Sequence, residues 1–216
     1  MPHTKGEATR REIIEQVAPL FNQRGFAGAS LSQVMEATGL QKGGIYNHFK
    51  SKEELALAAF HYYVDLVVAH HTAALEGKTS ARERLEAHLE AFCSLWRDPP
   101  IPGGCPLINM VIKGDDTFPA LRIEARAAKD LWRARLRETV EIGIDSGELK
   151  PDLDADRVAM FIIAALQGGV ILRWLYDDPA HLDSTADQLR LYFAGALFSD
   201  EITPQSTLRP PFSIDS

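Results

Sequence analysis

Two helix-start signals, separated by glycines, dominate the first quarter of the sequence. Ser30 with Gln33, and Ser51 with Glu54, have the spacing of a capping box, in which two side chains satisfy the first N–H groups of a helix. Gly39 stands between them, where a left-handed residue ends a helix. Short helices joined by a glycine turn form a helix-turn-helix unit. The spacing therefore predicts that unit before the longer part of the chain begins.

The rest of the chain has the same 3.6-residue periodicity, in longer segments. We predict helices over residues 80–96, 119–145, 154–176 and 184–198, the last of them starting at Ser184. No strand pattern competes with these helices. The expected fold is all-α, with a helix-turn-helix domain over residues 1–55 and a helical domain over residues 56–199. Residues 200–216 are rich in turn residues and proline, and we expect a disordered tail.

The charge is distributed unevenly along the chain. The net charge is −7, but residues 1–52 carry +3 and the remainder carries −10. A small basic region on an acidic body suits a local contact with a polyanion such as DNA.

The stretch from Lys42 to Phe49 contains two adjacent glycines, Gly43 and Gly44, which together disfavour a helix by about 2 kcal/mol. If it is a helix, Ile45 and Phe49 face inward. One interpretation is that the glycines allow a helix N-terminus to approach phosphates or a major groove closely. The other is that they allow tight packing against the preceding helix.

Residues 9–55, TRREIIEQVAPLFNQRGFAGASLSQVMEATGLQKGGIYNHFKSKEEL, resemble the DNA-binding domain of the tetracycline-repressor (TetR) family of bacterial transcriptional regulators. The resemblance implies that the helix near residues 42–49 is a recognition helix that binds double-stranded DNA. It implies phosphate contacts by Tyr46, His48 and Lys52, and base contacts by Gln33, Lys42 and Asn47. The full set of expected DNA-binding residues is Ser30, Gln33, Gln41, Lys42, Gly43, Tyr46, Asn47, His48 and Lys52.

Two segments near the C-terminus predict a homodimer, as a palindromic operator requires. Small or apolar residues share one face of each predicted helix: Ala165, Gly168, Gly169 and Leu172 on the first, and Leu189, Phe193, Ala196 and Leu197 on the second. Such faces allow close packing in a four-helix interface between two copies. The family resemblance implies the same arrangement. Alternatively, these faces complete the core of a single chain.

The sequence gives two hypotheses for an effector. Cys105 precedes Pro106 at an expected helix start, where the helix field favours a thiolate that reacts with electrophiles. Otherwise it is a small buried apolar residue, as we expect for Cys93. For a reversible small molecule, the candidate pocket walls are Trp96, Met110, Trp132, Phe161 and Trp174, unless these side chains are simply core.

Other functional classes find little support in the sequence. His61, His70, His71 and His88 do not have metal-ligand spacing, and we predict no metal or cofactor. The catalytic motifs of common hydrolases, kinases and metalloproteases do not occur. We also find no apolar run of about 20 residues, so we expect no membrane span and a cytoplasmic protein. The predicted function is a homodimeric transcriptional repressor released by a small-molecule or thiol-reactive effector. The alternative is an all-helical enzyme with an unrecognised active site.

Overall fold

The computed structural model describes residues 5–107, 109 and 118–198. The named helices are α1 (Lys5–Gly28), α2 (Leu31–Thr38), α3 (Lys42–Tyr46), α4 (Lys52–Leu75), α5 (Ala81–Arg97), α6 (Pro119–Asp145), α7 (Ala155–Tyr176) and α8 (Ala180–Tyr192). A π-helical turn, Phe193–Leu197, continues α8. Within the described ranges, β pairing is limited to one bridge between Leu149 and Phe198. The predicted all-α fold with an N-terminal helix-turn-helix is confirmed.

Side chains at the helix starts explain where most of the elements begin. Ser30 and Ser80 form complete capping boxes with Gln33 and Glu83, and the Ser51 hydroxyl accepts the N–H of Glu54 at 3.2 Å. Gly39 ends α2 in the left-handed conformation, at φ 65°. The starts at Ser30 and Ser51 and the glycine turn are as predicted. The capping box predicted at Ser51 is only half formed, because the Glu54 carboxylate accepts the N–H of Lys50, at 2.7 Å.

The predicted start of the last helix at Ser184 is wrong. α8 begins one turn earlier, at Ala180, where the Asp178 carboxylate accepts the Ala180 N–H at 2.9 Å. Pro179 occupies the position before the helix, where its missing N–H costs nothing. The serine signal was misleading because a cap can form at any earlier acceptor that the preceding loop brings into place.

The buried side chains form two apolar clusters. The N-terminal cluster comprises Ile13, Ile14, Val17, Ala18, Val34, Ile45, Phe49, Leu55, Ala59, Tyr63 and Ile101. The larger C-terminal cluster is built from α5, α6, α7 and α8 and includes Leu85, Leu89, Leu136, Val140, Ile162, Leu166, Leu189 and Leu197. α4 connects the two, because Leu55 and Tyr63 lie in the first cluster while its second half packs against α5 and α6. The expected domain boundary at residue 55 therefore lies within one continuous helix.

α7 is a described helix that is long and apolar enough, by length and composition, to cross a membrane. The expectation that no apolar run reaches that length is wrong for this segment. In the structure, the inner side of α7 packs against α6 and α8 and contributes Ile162 and Leu166 to the C-terminal cluster. The outer side is also apolar, which is typical of a helix that is covered on both sides.

Gly143 lies where α6 packs closely against Ala81 and Leu149. A Cβ atom at this position would lie 2.6 Å from the Ala81 Cβ and 2.6 Å from the Leu149 side chain. We expect Gly143→Ala to lower the free energy of unfolding by about 1–3 kcal/mol, the usual cost of overpacking a core. Chemical denaturation measures it. The control is Gly6→Ala, whose new methyl group meets nothing within 4 Å. Equal stabilities of the two variants would contradict the prediction.

Candidate nucleic-acid interface and cavity

Burial divides the region around α3 into an inner and an outer face. Ile45 and Phe49 are buried in the N-terminal cluster beside Val34 of α2. The outer face consists of exposed residues: Gln41, Lys42, Gly43, Tyr46 and Asn47. His48 is half-buried at the edge of this surface. The predicted orientation of the helix is therefore confirmed, and five of the expected DNA-binding residues share one exposed surface.

The two glycines of α3 are not required by packing within the chain. Among the described residues, a Cβ at Gly43 would meet nothing within 4 Å, and one at Gly44 would make ordinary contacts with the Leu40 side chain, at 3.5 Å or more. Neither glycine has a positive φ angle. Packing against α2 therefore does not explain them. At Gly43 the exposed backbone faces solvent, where an external partner can approach it.

Ser30 and Gln33 serve the N-terminus of α2. The side-chain oxygen Oε1 of Gln33 accepts the Ser30 N–H at 3.0 Å, and the Ser30 Oγ accepts the Gln33 N–H at 3.3 Å. Ser30 is exposed and Gln33 is half-buried. Because the capping box uses Oε1, the group of Gln33 that is suited to an external acceptor is the amide NH₂.

Lys52 makes an internal contact that the sequence did not indicate. Its Nζ donates a hydrogen bond to the Phe26 carbonyl at 2.7 Å and lies 4.4 Å from the centre of the Phe26 ring. The Ser30 N–H, the usual helical partner of that carbonyl, instead donates to Gln33. Lys52 therefore fixes the start of α4 to the end of α1, using one of its three ammonium N–H donors.

The loop that follows α5 is hydrogen-bonded to α1. Asn22 Nδ2 donates to the carbonyls of Pro102 at 3.1 Å and Gly104 at 2.7 Å. Asn109 Nδ2 lies within hydrogen-bonding distance of the Asn22 carbonyl, the Asn22 Oδ1 and the Gly103 carbonyl, at 3.1, 2.9 and 2.6 Å. We call these contacts the asparagine latch. Asparagine spacing in the sequence gave no signal of it, since the two residues are 87 positions apart.

Gly103 and Gly104 allow this loop to lie close to its neighbours. Both have positive φ angles, 107° and 76°. A Cβ at Gly103 would lie 2.9 Å from Gln23 Cγ, and one at Gly104 would lie 2.8 Å from the Trp96 ring. The loop therefore fits between α1 and Trp96 of α5 only because both of these positions are glycine.

A cavity of about 80 Å³ lies on the other side of the loop, between α4, α5 and α6. The described residues that line it are Tyr63, Val64, Val67, Val68, His71, His88, Phe92, Leu95, Trp96, Cys105, Pro106, Leu107, Ala128, Lys129, Leu131, Trp132 and Arg135. Of the predicted pocket residues, Trp96, Trp132 and Cys105 line this cavity. Met110 lies outside the described residues.

Phe161 and Trp174 are not placed at the cavity, which corrects the prediction for both. They lie on α7, and their side chains are 49% and 68% exposed. The spacing of large apolar residues along a helix is the same whether their face packs against the core or is exposed to solvent. The sequence pattern alone did not distinguish the two faces of α7, because both are apolar.

Cys105 has the predicted position at a helix start. Residues 106, 107 and 109 are helical, and the Asn109 N–H donates to the Cys105 carbonyl at 3.0 Å. Its side chain is half-buried against the C-terminal cluster. Cys93 is buried in that cluster, and its burial raises the pKa of the thiol to about 11, which keeps it protonated and unreactive.

His71 and His88 form a buried polar wall of the cavity, with 6% and 2% of their surfaces exposed. Burial, followed by neighbouring positive charge, lowers the pKa of His71 to about 4 and that of His88 to about 3. Both imidazoles are therefore neutral at neutral pH. Across the part of the chain that the structure describes, no cluster of three or more His, Cys, Asp or Glu side chains is arranged to hold a metal ion.

The predicted dimer residues are divided between the core and the surface. Gly169 packs against Thr185 of α8, whose Oγ1 would lie 2.6 Å from an added Cβ. Leu189, Phe193 and Leu197 are buried within the C-terminal cluster. These four residues complete the core of one chain, as the alternative interpretation held.

The remaining predicted dimer residues are more accessible. Gly168 has nothing within 4 Å of an added Cβ, and Leu172 is exposed. Ala165 and Ala196 are half-buried.

Two family descriptions match this chain over separate regions. Residues 13–59 match the bacterial regulatory proteins of the tetR family, and residues 81–189, half of the chain, match the C-terminal domain of tetracyclin repressor-like proteins. The chain belongs to the TetR family. The first match covers α2, α3 and their buried partners, and the second covers α5 to α8.

Solved structures and a curated protein support the same assignment. A TetR transcriptional regulator from Chloroflexus aurantiacus is 42% identical, covering 90% of this chain and 98% of its own, with a TM-score of 0.85. A TetR-family regulator from Cytophaga hutchinsonii is 35% identical, covering 93% and 100%, with a TM-score of 0.84. The transcriptional repressor ComR from Escherichia coli is 28% identical, covering 74% of this chain and 76% of its own. The chain is therefore a DNA-binding transcriptional regulator.

The open position of Gly43 gives a test that separates stability from DNA binding. We expect Gly43→Ala to leave the free energy of unfolding unchanged or to raise it by up to about 1 kcal/mol, because alanine favours a helix. Operator affinity should fall by about tenfold, since the methyl group holds α3 away from DNA. Denaturation and fluorescence anisotropy measure the two effects.

The control for this variant is Gly6→Ala, which is also open to solvent but lies in the first turn of α1. It should leave operator affinity unchanged. Wild-type operator affinity in Gly43→Ala would show that this glycine has no role at the interface.

Proposed function

We propose that the chain is a homodimeric repressor that binds a palindromic operator and is released by a small molecule bound in the cavity. The observation that carries the proposal is the outer face of α3, where exposed polar groups surround a glycine that packing does not require. A backbone left open beside donor side chains suits a helix that enters the major groove. Such a target places the regulator in the bacterial cytoplasm. The proposal assigns no catalytic step to the chain.

The residues on and around α3 have different proposed roles. Lys42 and Asn47 extend from the exposed face and are proposed to contact base edges, together with the amide NH₂ of Gln33. Tyr46, His48 and Lys52 are proposed to contact phosphates, which position the protein without reading sequence. For Lys52 this role adds to its bond with Phe26, so the same side chain links DNA to the α1–α4 junction.

The outer side of α7 supports the proposed homodimer. Phe161, Ala164, Gly168, Ile171 and Leu175 are separated by alternating steps of three and four residues, and we call this row the α7 stripe. Steps of this kind form a continuous seam between packed helices. The open surface at Gly168 allows a second helix to approach closely. The proposed interface thus keeps Gly168 and uses exposed residues of α7 in place of the predicted residues that are buried in the core of one chain.

Leu191 extends this surface onto the neighbouring helix α8, where it is 53% exposed. Two such helices from each protomer make a four-helix interface in which the same surface of both copies meets, as in a two-fold symmetric dimer. A dimer is also what a short recognition helix needs, because two half-sites about 34 Å apart are read together.

The cavity supports control by a small molecule. Its volume of about 80 Å³ is well below the roughly 300–1,000 Å³ of typical ligand pockets. A ligand of ordinary size therefore binds best when α4, α5 and α6 separate. Such a ligand binds the state with separated helices more tightly than the closed state, and this difference in affinity is the condition for a population shift.

The asparagine latch offers a physical link from the cavity to α1. Cys105, Pro106 and Leu107 line the cavity, while Gly103 and Gly104, immediately before them, contact α1 through Asn22 and Asn109. α4 gives a second link, because Tyr63 borders the cavity and belongs to the N-terminal cluster. Movement of the cavity walls is thus proposed to change the distance between the two copies of α3.

A thiol-reactive effector would act at the same place, because Cys105 also lines the cavity. Cys105→Ser separates the two kinds of effector. An electrophile that still releases the operator from this variant does not act through Cys105.

The dimer and the operator are tested together by Ile171→Glu, in the middle of the α7 stripe. We expect a monomer in sedimentation velocity, because a carboxylate in an apolar interface is poorly solvated. Affinity for a palindromic operator selected from random DNA should fall by about a hundredfold or more, since the two half-sites are no longer bound together. The wild type should bind it with a steep salt dependence.

The control is Ile123→Glu, which makes the same change at an exposed isoleucine on α6. It should remain dimeric and keep its operator affinity. An Ile171→Glu protein that stays dimeric would place the interface elsewhere, and a wild type that selects no specific DNA would overturn the proposed function.

The asparagine latch is tested by Asn109→Ala. We expect faster amide hydrogen exchange across residues 101–104 and a loss of stability of about 1–2 kcal/mol, because several hydrogen bonds are removed. Operator affinity should also fall, since α1 is no longer held in place. Gln16→Ala, an exposed amide on α1, is the control. A loss of stability with unchanged operator affinity would limit the latch to a structural role.

A further inference from the structure

Three ring nitrogens of cavity-lining side chains are buried and have no hydrogen-bond partner among the residues that the structure describes: Nδ1 of His71, Nδ1 of His88 and Nε1 of Trp132. The two histidines are more than nine-tenths buried, and all three side chains line the cavity. The rings follow one another, with centroids 6.2 Å apart for His71 and His88 and 6.1 Å apart for His71 and Trp132. Unpaired buried polar groups are rare in native proteins, and a bound ligand is one explanation.

Contacts behind His88 determine which of its nitrogens carries the proton. Thr139 Oγ1 donates its hydrogen to the Arg135 carbonyl at 3.1 Å, and it lies 3.2 Å from His88 Nε2. A carbonyl only accepts, so both contacts are satisfied at once when His88 Nε2 donates its N–H to Thr139. Burial keeps the imidazole neutral by lowering its pKa to about 3. Nδ1 of His88 is therefore a bare acceptor.

The cavity thus offers an acceptor at His88 and a donor at Trp132, whose indole N–H only donates. A hydroxyl group is complementary to either, because it both donates and accepts. A carboxylate only accepts and leaves His88 Nδ1 unpaired. The described lining residues also include the cations Lys129 and Arg135 and no carboxylate, which disfavours a positively charged ligand.

The remainder of the wall is apolar and aromatic. The rings of Phe92 and Trp132 are stacked in parallel, 5.2 Å apart and inclined by 3°. Leu95, Val64 and Val68 add aliphatic surface. A flat ring compound matches this wall.

We propose that the cavity selects an uncharged, mainly apolar ring compound that carries a hydroxyl group, with His88 Nδ1 accepting the hydroxyl hydrogen. This inference rests on the proposed function, in which the cavity holds the effector. It adds the chemical class of that effector, a phenol or a similar cyclic alcohol.

The test compares four probes of similar size by isothermal titration calorimetry: phenol, toluene, benzoate and phenyltrimethylammonium. Phenol should bind about tenfold more tightly than toluene, the gain expected from one hydrogen bond to a buried acceptor. Benzoate and phenyltrimethylammonium should bind more weakly than phenol. Equal affinity for phenol and toluene, stronger binding of either ion, or no binding of phenol would overturn the proposal.

Two variants link the preference to His88. His88→Phe keeps a ring but removes the acceptor, and the ratio of phenol to toluene affinity should fall by about fivefold or more. Thr139→Val keeps nearly the same shape but removes the hydroxyl that accepts the N–H of His88 Nε2. The proton can then move to Nδ1, which becomes a donor. Its preference for phenol over benzoate should fall by about fivefold or more. An unchanged preference in Thr139→Val would show that the contact with Thr139 does not determine ligand choice.

The control variant is Trp174→Phe, which alters an exposed ring on α7 that does not line the cavity. It should keep all four affinities. Operator binding without any probe is measured on the same proteins. If the wild type binds no operator, the proposed function fails whatever the probes do. If operator binding is normal but phenol has no advantage, only the ligand class fails.

Discussion

The arrangement of the whole chain depends on the burial of α4 in two places at once. Leu55 and Ala59 are enclosed in the N-terminal cluster, whereas His71, four turns further along, is enclosed beside α5 and α6. A single helix transmits a displacement of one end to the other, because its backbone hydrogen bonds resist bending. The position of α3 is therefore tied to the walls of the cavity through one rigid element.

The asparagine latch complements this helix with a second, weaker connection. Its hydrogen bonds join a glycine loop to α1, and the close approach at Gly103 and Gly104 requires the absence of side chains. Because the loop continues directly into cavity residues, α1 and α4 are both connected to the same small volume. In the proposed mechanism, a ligand that expands this volume acts on the DNA-binding helices through both connections.

Periodicity and capping chemistry were sufficient to predict the helix-turn-helix, including the capping box at Ser30 and the buried pair Ile45 and Phe49. These signals are local, since a cap involves residues three positions apart. Prediction was weaker where a residue's role depends on distant neighbours. Trp174 and Trp96 have the same chemical character, yet one is exposed on α7 and the other lines the cavity.

The sequence by itself determined an all-α chain, the exposed face of α3 and the position of Cys105 at a helix start, because each follows from spacing along one helix. Only the tertiary structure decided that Lys52 bonds to Phe26, that Asn22 meets Asn109, and that the side chains of His71, His88 and Trp132 line one cavity. These groups lie on different helices. Their proximity depends on how the two apolar clusters pack, and the periodicity of a single helix does not determine that packing.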